Sequence, residues 1–183
     1  MQESIQISPA QPDDAQRAAV LLYSAYTHTH VSYPLHEASG SGWIQHLEHF
    51  FRQSDNRFSY QNIQLAALHS EVVGLVLSFG GREEIRLNAA VGSWLEREAQ
   101  DDEWYIDALA VLKQWSHMGI GTRLLQSAEQ QAYQHHYAKI ALHVEVDNHE
   151  ALNLYTHLHY VVTRQTILYQ RRYVRMVKIL NKS

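Results

Sequence analysis

From Trp104 to Val111 the chain is apolar except at Asp107 and rich in strand formers, the pattern of a central strand covered on both faces. Lys113 to Met118 breaks that run. Leu124, Leu125, Ala128 and Ala132 then recur at helical spacing, which predicts a helix opening on Gly119-Ile120-Gly121. Leu142 to Val146 predicts another strand, followed at once by Asp147-Asn148-His149-Glu150 and a helical stretch through Tyr155. Upstream, Ser4 to Ser8 alternates as a first strand, punctuated by Pro9 and Pro12. Ala15 to Tyr26 predicts a helix with Ala18, Leu21, Leu22 and Ala25 on one face. Residues 27–42 are loop-like. Trp43 to Phe51 predicts a second amphipathic helix, with Trp43, Leu47 and Phe50 or Phe51 spaced to cover something apolar. Asn62–His69 and Val72–Phe79 flank Ser70-Glu71 as a hairpin. Arg82 to Gln100 is charged and helix-prone, with Leu87, Val91, Trp94 and Leu95 at helical spacing, so an inserted helix is expected there. Asp101-Asp102-Glu103 predicts a solvated acidic turn. Val161–Leu168 and Tyr173–Leu180 predict a closing antiparallel pair. The order is β-α-α-β-β-(α)-β-α-β-α-β-β, an α/β arrangement around a mixed sheet.

Composition narrows the function classes. A chain of 183 residues is expected to fold as one domain over 1–183. A net charge of −4 argues against nucleic-acid binding through bulk positive charge, and it offers no attraction to an anionic membrane. The absence of cysteine excludes disulfides, thiolate metal sites and a cysteine nucleophile. The opening MQESIQISPAQPDD is polar and acidic, unlike a secretory leader. No apolar run approaches the roughly 18 residues that span a bilayer. A cytoplasmic location is the expectation. The 13 histidines include the close pairs His28/His30, His135/His136 and His157/His159, but none stands at i, i+4 with an acid between, so no metal site is predicted.

A glycine-bearing turn that feeds a helix start presents free backbone N–H groups and the positive end of the helix dipole, which suits phosphate. With its second half, the pattern becomes strand, glycine turn, helix, strand, then Asn148-x-x-Ala151-x-x-x-Tyr155. Those two stretches resemble the signature halves of the GNAT superfamily of acetyl-CoA-dependent N-acetyltransferases. Leu109-Ala110-Val111 and the loop Ser116-His117-Met118-Gly119-Ile120-Gly121-Thr122 stand where that family has its central strand and pyrophosphate loop. The match covers Trp104 to Val162 closely and the rest by order of elements. Two departures stand out: Ser116 replaces the usual Arg or Gln, and His159-Tyr160 replaces Gly-Phe, where a residue other than glycine asks for a different backbone turn.

The resemblance implies a mostly antiparallel sheet flanked by helices and splayed between the fourth and fifth strands. It further implies acetyl-CoA as co-substrate, held by Leu109, Ala110, Val111 and residues 116–122, with a bulge in the central strand. Asn148 reads equally well as a plain helix cap and as a cofactor contact. Attack of an amine on a thioester requires a neutral amine, a polarised carbonyl and a proton for the leaving thiolate. A backbone N–H near Leu109 to Val111 suits the developing oxyanion. By resemblance, Tyr155 protonates the CoA thiolate, and His143 with Tyr105 matches the histidine–tyrosine pair of some N-terminal protein acetyltransferases. A histidine near its ordinary pKa of about 6.5 suits proton abstraction. Glu145 and Asp107, each an acid in an apolar strand where burial raises the pKa, remain rival bases, as does a water. The expected reaction is direct transfer to a small-molecule or peptide amine in a ternary complex, without metal. A non-catalytic acyl-CoA sensor of the same fold is the alternative. The acceptor loops over 27–60, 82–103 and 163–172 carry no readable code, and the family resemblance leaves room for a homodimer.

Overall fold

A computed structural model describes residues 4–28, 40–93 and 95–180. Residues 29–39 of the expected loop, with His30, and Trp94 lie outside the described residues. The elements are β1 (Gln6–Pro9), α1 (Ala15–His28), α2 (Gly40–Arg52), β2 (Ile63–Leu68), β3 (Glu71–Gly80), α3 (Glu84–Ala89), β4 (Trp104–Val111), α4 (Ile120–Gln134), β5 (Lys139–Glu145), α5 (His149–His157), β6 (Val161–Leu168) and β7 (Arg171–Ile179). The strands form one sheet in the order β1-β2-β3-β4-β5-β7-β6, antiparallel throughout except for the β4–β5 pair. This is the mixed, mostly antiparallel arrangement expected.

Helices cover both faces because strand alternation sends apolar side chains both ways. On one face α1 and α2 bury Leu22, Leu47 and Phe51 against Leu75, Leu77 and Phe79. Of the two phenylalanines at the end of α2, Phe51 enters the core fully and Phe50 only in part. On the other face α4 and α5 bury Leu124, Leu125 and Tyr155 with Val76, Ile106 and Leu142.

The centre of the sheet carries two irregularities that shape the site. Leu77 pairs with Ala108 and Ser78 with Ile106, so Asp107 has no partner on β3 and forms a bulge. The bulge turns successive residues Asp107 and Ala108 to the α1/α2 face, restoring Leu109 to the α4 face. β4 and β5 pair only over Trp104–Ile106 with Ile140–Leu142. Beyond Ile106 each strand stays with its outer neighbour, and the sheet splays.

Two expectations fail in the β3–β4 connection. Among the described residues of the connection, only Glu84–Ala89 is α-helical; the described residues beyond it run as irregular chain. The buried Glu84 carboxylate accepts the N–H groups of Glu98 and Ala99, at 2.9 Å each, which fastens the connection back on itself and overrides the local periodicity. Glu103, expected in a solvated turn, is fully buried in an ion pair with Arg175. No described helix is long and apolar enough to cross a membrane.

Candidate active site

Where β4 and β5 part, a cavity of about 1550 Å³ opens. Its walls include Leu109, Ala110 and Val111 of β4 and Asn148 and Tyr155 of the β5–α5 side. One end reaches the start of α4 and the other a cluster of polar side chains, Tyr26, Glu98, Tyr105, Asp107, His143 and Tyr169. Of the loop residues singled out in the sequence, Ser116, His117, Gly119, Ile120, Gly121 and Thr122 line the cavity. Met118 does not; its side chain is 43% exposed.

The loop geometry explains its glycine. Gly119 caps α4 in the left-handed region at φ 77°, a conformation that costs a residue with a Cβ about 1–2 kcal/mol. No side chain caps this helix, which leaves its first backbone N–H groups to a ligand or water. Ser116 turns its hydroxyl back to donate to the Lys113 carbonyl at 2.8 Å, away from the role an arginine or glutamine would fill. Asn148 caps α5 by accepting the Ala151 N–H at 3.1 Å. His159 stands at φ 68°, so it adopts the left-handed turn a glycine would make rather than a different one.

At the polar end, Tyr105 and His143 meet. Tyr105 Oη lies 3.0 Å from His143 Nδ1 and donates to Glu98 Oε2 at 2.7 Å. Glu98 also accepts Tyr169 Oη on Oε1 at 2.7 Å and Arg57 Nη2 on Oε2 at 3.0 Å. Arg57 is the hub of the cluster. It grips both carboxylate oxygens of Asp107, reaches Asn88 Oδ1 at 2.9 Å and Glu84 at 3.3 Å, and lies over the Phe79 ring. Burial alone would weaken its charge, but Asp107 and Glu98 outweigh that and hold its pKa well above the usual value.

The same burial separates the other groups. It pushes the Glu98 carboxyl up, against the pull of Arg57. It raises the Tyr105 phenol well above its ordinary range, helped by the charges of Glu98 and Asp107. His143 is pushed down to about 3 by burial, with Arg175 and Arg164 adding like-charge repulsion. Its Nε2 is buried without a hydrogen-bond partner among the described residues. Tyr155, packed edge-on against Tyr160, is pushed up to about 12 by burial. The rival acids are both engaged: Glu145 accepts Arg171 at 2.7 Å and Tyr173, while Asp107 accepts Tyr26 at 2.6 Å besides Arg57.

Arg57, Glu98 and Tyr169 were not among the residues picked out from the sequence. One signal pointed their way: an acid such as Asp107 inside an apolar strand needs a cation. Nothing local says which of the 15 lysines and arginines supplies it. Among the described residues, no group of three or more His, Cys, Asp or Glu side chains is arranged to hold a metal.

This geometry has close relatives. Residues 22–160 match the acetyltransferase (GNAT) family, and the chain belongs to that family. The fold superimposes on an N-acetyltransferase from Staphylococcus aureus Mu50 with a TM-score of 0.84 and 25% identity, covering 94% of this chain and 100% of that one. A second acetyltransferase structure gives a TM-score of 0.81 at 23% identity, with 96% and 100% covered. A putative acetyltransferase from Salmonella typhimurium with its cofactor acetyl-CoA gives 0.64 at 14% identity, with 98% and 95% covered. No curated protein matches the sequence.

Proposed function

We propose that the protein transfers the acetyl group of acetyl-CoA directly to a primary amine, of a small molecule or a peptide, within a ternary complex. The observation that carries this reading is the cavity itself, which runs from the uncapped start of α4 through the β4–β5 gap to the Tyr105–His143 cluster. The related structure that holds acetyl-CoA supports the choice of co-substrate. The pyrophosphate would lie on the N–H groups of Ile120, Gly121 and Thr122, and the pantetheine arm along Leu109 to Val111, whose edge toward β5 has no strand partner.

The residues divide the work as follows. A backbone N–H of the Leu109–Val111 stretch polarises the thioester carbonyl. A free alkylammonium, with a pKa of about 10, would give its proton to His143 only against a gap of about 7 units, on the order of 10 kcal/mol. The acceptor therefore enters as the neutral amine. Its nitrogen attacks the carbonyl carbon, the tetrahedral nitrogen becomes far more acidic, and His143 Nε2 takes that proton. The C–S bond breaks as the amide forms. Tyr155, at about 12, is a weaker acid than a thiol near 8.5, so it donates a hydrogen bond to the leaving thiolate without surrendering its proton.

Calorimetric titration with acetyl-CoA, CoA and AMP tests cofactor binding. Micromolar binding that requires the pantetheine arm is expected, and AMP-level affinity would remove the co-substrate from the proposal. An amine and peptide screen for free-thiol release follows. Tyr155→Phe keeps the ring packing and removes the hydrogen bond to the leaving thiolate, so it should lower turnover by about 100-fold with acetyl-CoA affinity intact. Binding without turnover on any amine would favour the sensor reading.

A further inference from the structure

We propose that Glu98 is a positioning residue that fixes His143 in the Nδ1–H tautomer, so that Nε2 carries the lone pair that accepts the substrate's proton. This rests on the reading of His143 as proton acceptor. Nothing in the signature motifs includes Glu98, which arrives from the irregular β3–β4 connection.

Tyr105 has one hydroxyl proton and two neighbours, Glu98 Oε2 at 2.7 Å and His143 Nδ1 at 3.0 Å. Glu98 Oε2 is also held by Arg57 Nη2 at 3.0 Å, and a guanidinium can only donate. Tyr169 Oη, which accepts the Glu96 N–H at 3.2 Å, donates to Glu98 Oε1, so both Glu98 oxygens face donors and Oε2 is an acceptor. Tyr105 spends its proton on Oε2. Its remaining lone pair faces His143 Nδ1, which must then be the protonated ring nitrogen. In a neutral imidazole the other nitrogen is bare. Burial of His143, with the like charges of Arg175 and Arg164, opposes a second proton, so the ring stays neutral. The connection is anchored from both sides, since Glu98 also gives its own N–H to the buried Glu84.

Among the described residues, Tyr105 without Glu98 keeps His143 Nδ1 as its acceptor, which turns the imidazole to the Nε2–H form. That form carries a proton on Nε2 and cannot take another there.

The test is ¹⁵N NMR of histidine-labelled protein at neutral pH, with His143→Gln to assign the resonance, alongside steady-state kinetics. The native protein should show the Nδ1–H tautomer. Glu98→Ala should show the Nε2–H tautomer and lose about 100-fold or more in kcat with acetyl-CoA affinity unchanged. Glu98→Gln can place its carbonyl toward Tyr105 and Arg57 and its amide NH₂ toward Tyr169. It should keep the native tautomer and stay within about tenfold of native kcat, since Tyr105 keeps its acceptor while the charge and the Tyr169 donation are lost. An Nε2–H tautomer in the native protein, or an unchanged tautomer in Glu98→Ala, overturns the proposal. The native reading needs only His143→Gln, for assignment, and no Glu98 variant. The tautomer is read without substrate, so it stands apart from the proton-acceptor reading, which fails instead if His143→Gln keeps native turnover.

Discussion

Arg57→Met removes the cation from the centre of the polar cluster while keeping a side chain of similar length. Arg57 is 2% exposed and answers Asp107, Glu98 and Glu84 together. Glu84 retains the N–H groups of Glu98 and Ala99, and Asp107 retains Tyr26. Two carboxylates, Asp107 and Glu98, are left buried without their counter-ion. Breaking a buried pair in this way costs about 3–5 kcal/mol, which moves a guanidinium chloride midpoint down by about 1 M for a slope near 4 kcal/mol/M. The loss should depend on pH. Burial already holds the Glu98 carboxyl above its ordinary value, and losing Arg57 raises it further. The folded variant then binds protons that its unfolded chain, titrating near pH 4, does not hold. Its stability is therefore fully present at low pH and lost as pH rises through the raised folded value. The gap between native and Arg57→Met should shrink from pH 7 to pH 5. Equilibrium unfolding of both proteins across that range measures it. A gap under about 1 kcal/mol, or one that is the same at both ends, would refute the account of Arg57 as the counter-charge of the cluster.

Two further outcomes follow from single residues. His143 has a folded pKa of about 3 against about 6.5 unfolded, so its contribution is intact above pH 6.5 and fades as pH falls, by up to about 1.4 kcal/mol per unit. His143→Gln should flatten the native stability curve between pH 6 and pH 4, and parallel curves would contradict the burial of a neutral imidazole. His159→Gly should relieve the left-handed strain at φ 68° and stabilise by about 0.5–1 kcal/mol after the greater freedom of glycine in the unfolded chain is subtracted. A thermal melt about 2–4 °C higher per kcal/mol would record it, and a lower melt would show that the histidine side chain matters more than its backbone.

Local pattern carried most of the frame and little of the cluster. The strands and helices from Trp104 to Tyr155 announce themselves as apolar runs and helical spacings with clear boundaries, Gly119 at the head of α4 and Asn148 at the head of α5. The nearness of Tyr105 and His143 was legible only through the family resemblance, since 38 residues separate them in sequence. The β3–β4 connection misled because Leu87 and Val91 keep helical spacing while a distant constraint decides the path: a buried carboxylate at Glu84 gathers the backbone of Glu98 and Ala99. Glu103 looked like one more solvated acid beside Asp101 and Asp102. Its partner Arg175 lies 72 residues on, and no neighbouring residue hints at it. Ion pairs of this kind are set by topology, and a linear pattern has no period for them.

The three rungs that join β4 to β5 also make the sheet two leaves hinged near one corner. Past Ile106 the leaves are held apart by nothing the strands themselves supply, so a ligand lodged between them acts as a binding along an open spine. Such a ligand adds RT ln(1 + [L]/Kd) to the folded state. The working lifetime of this protein then depends on how well stocked its surroundings are with whatever fills the gap, and a starved molecule is a looser one.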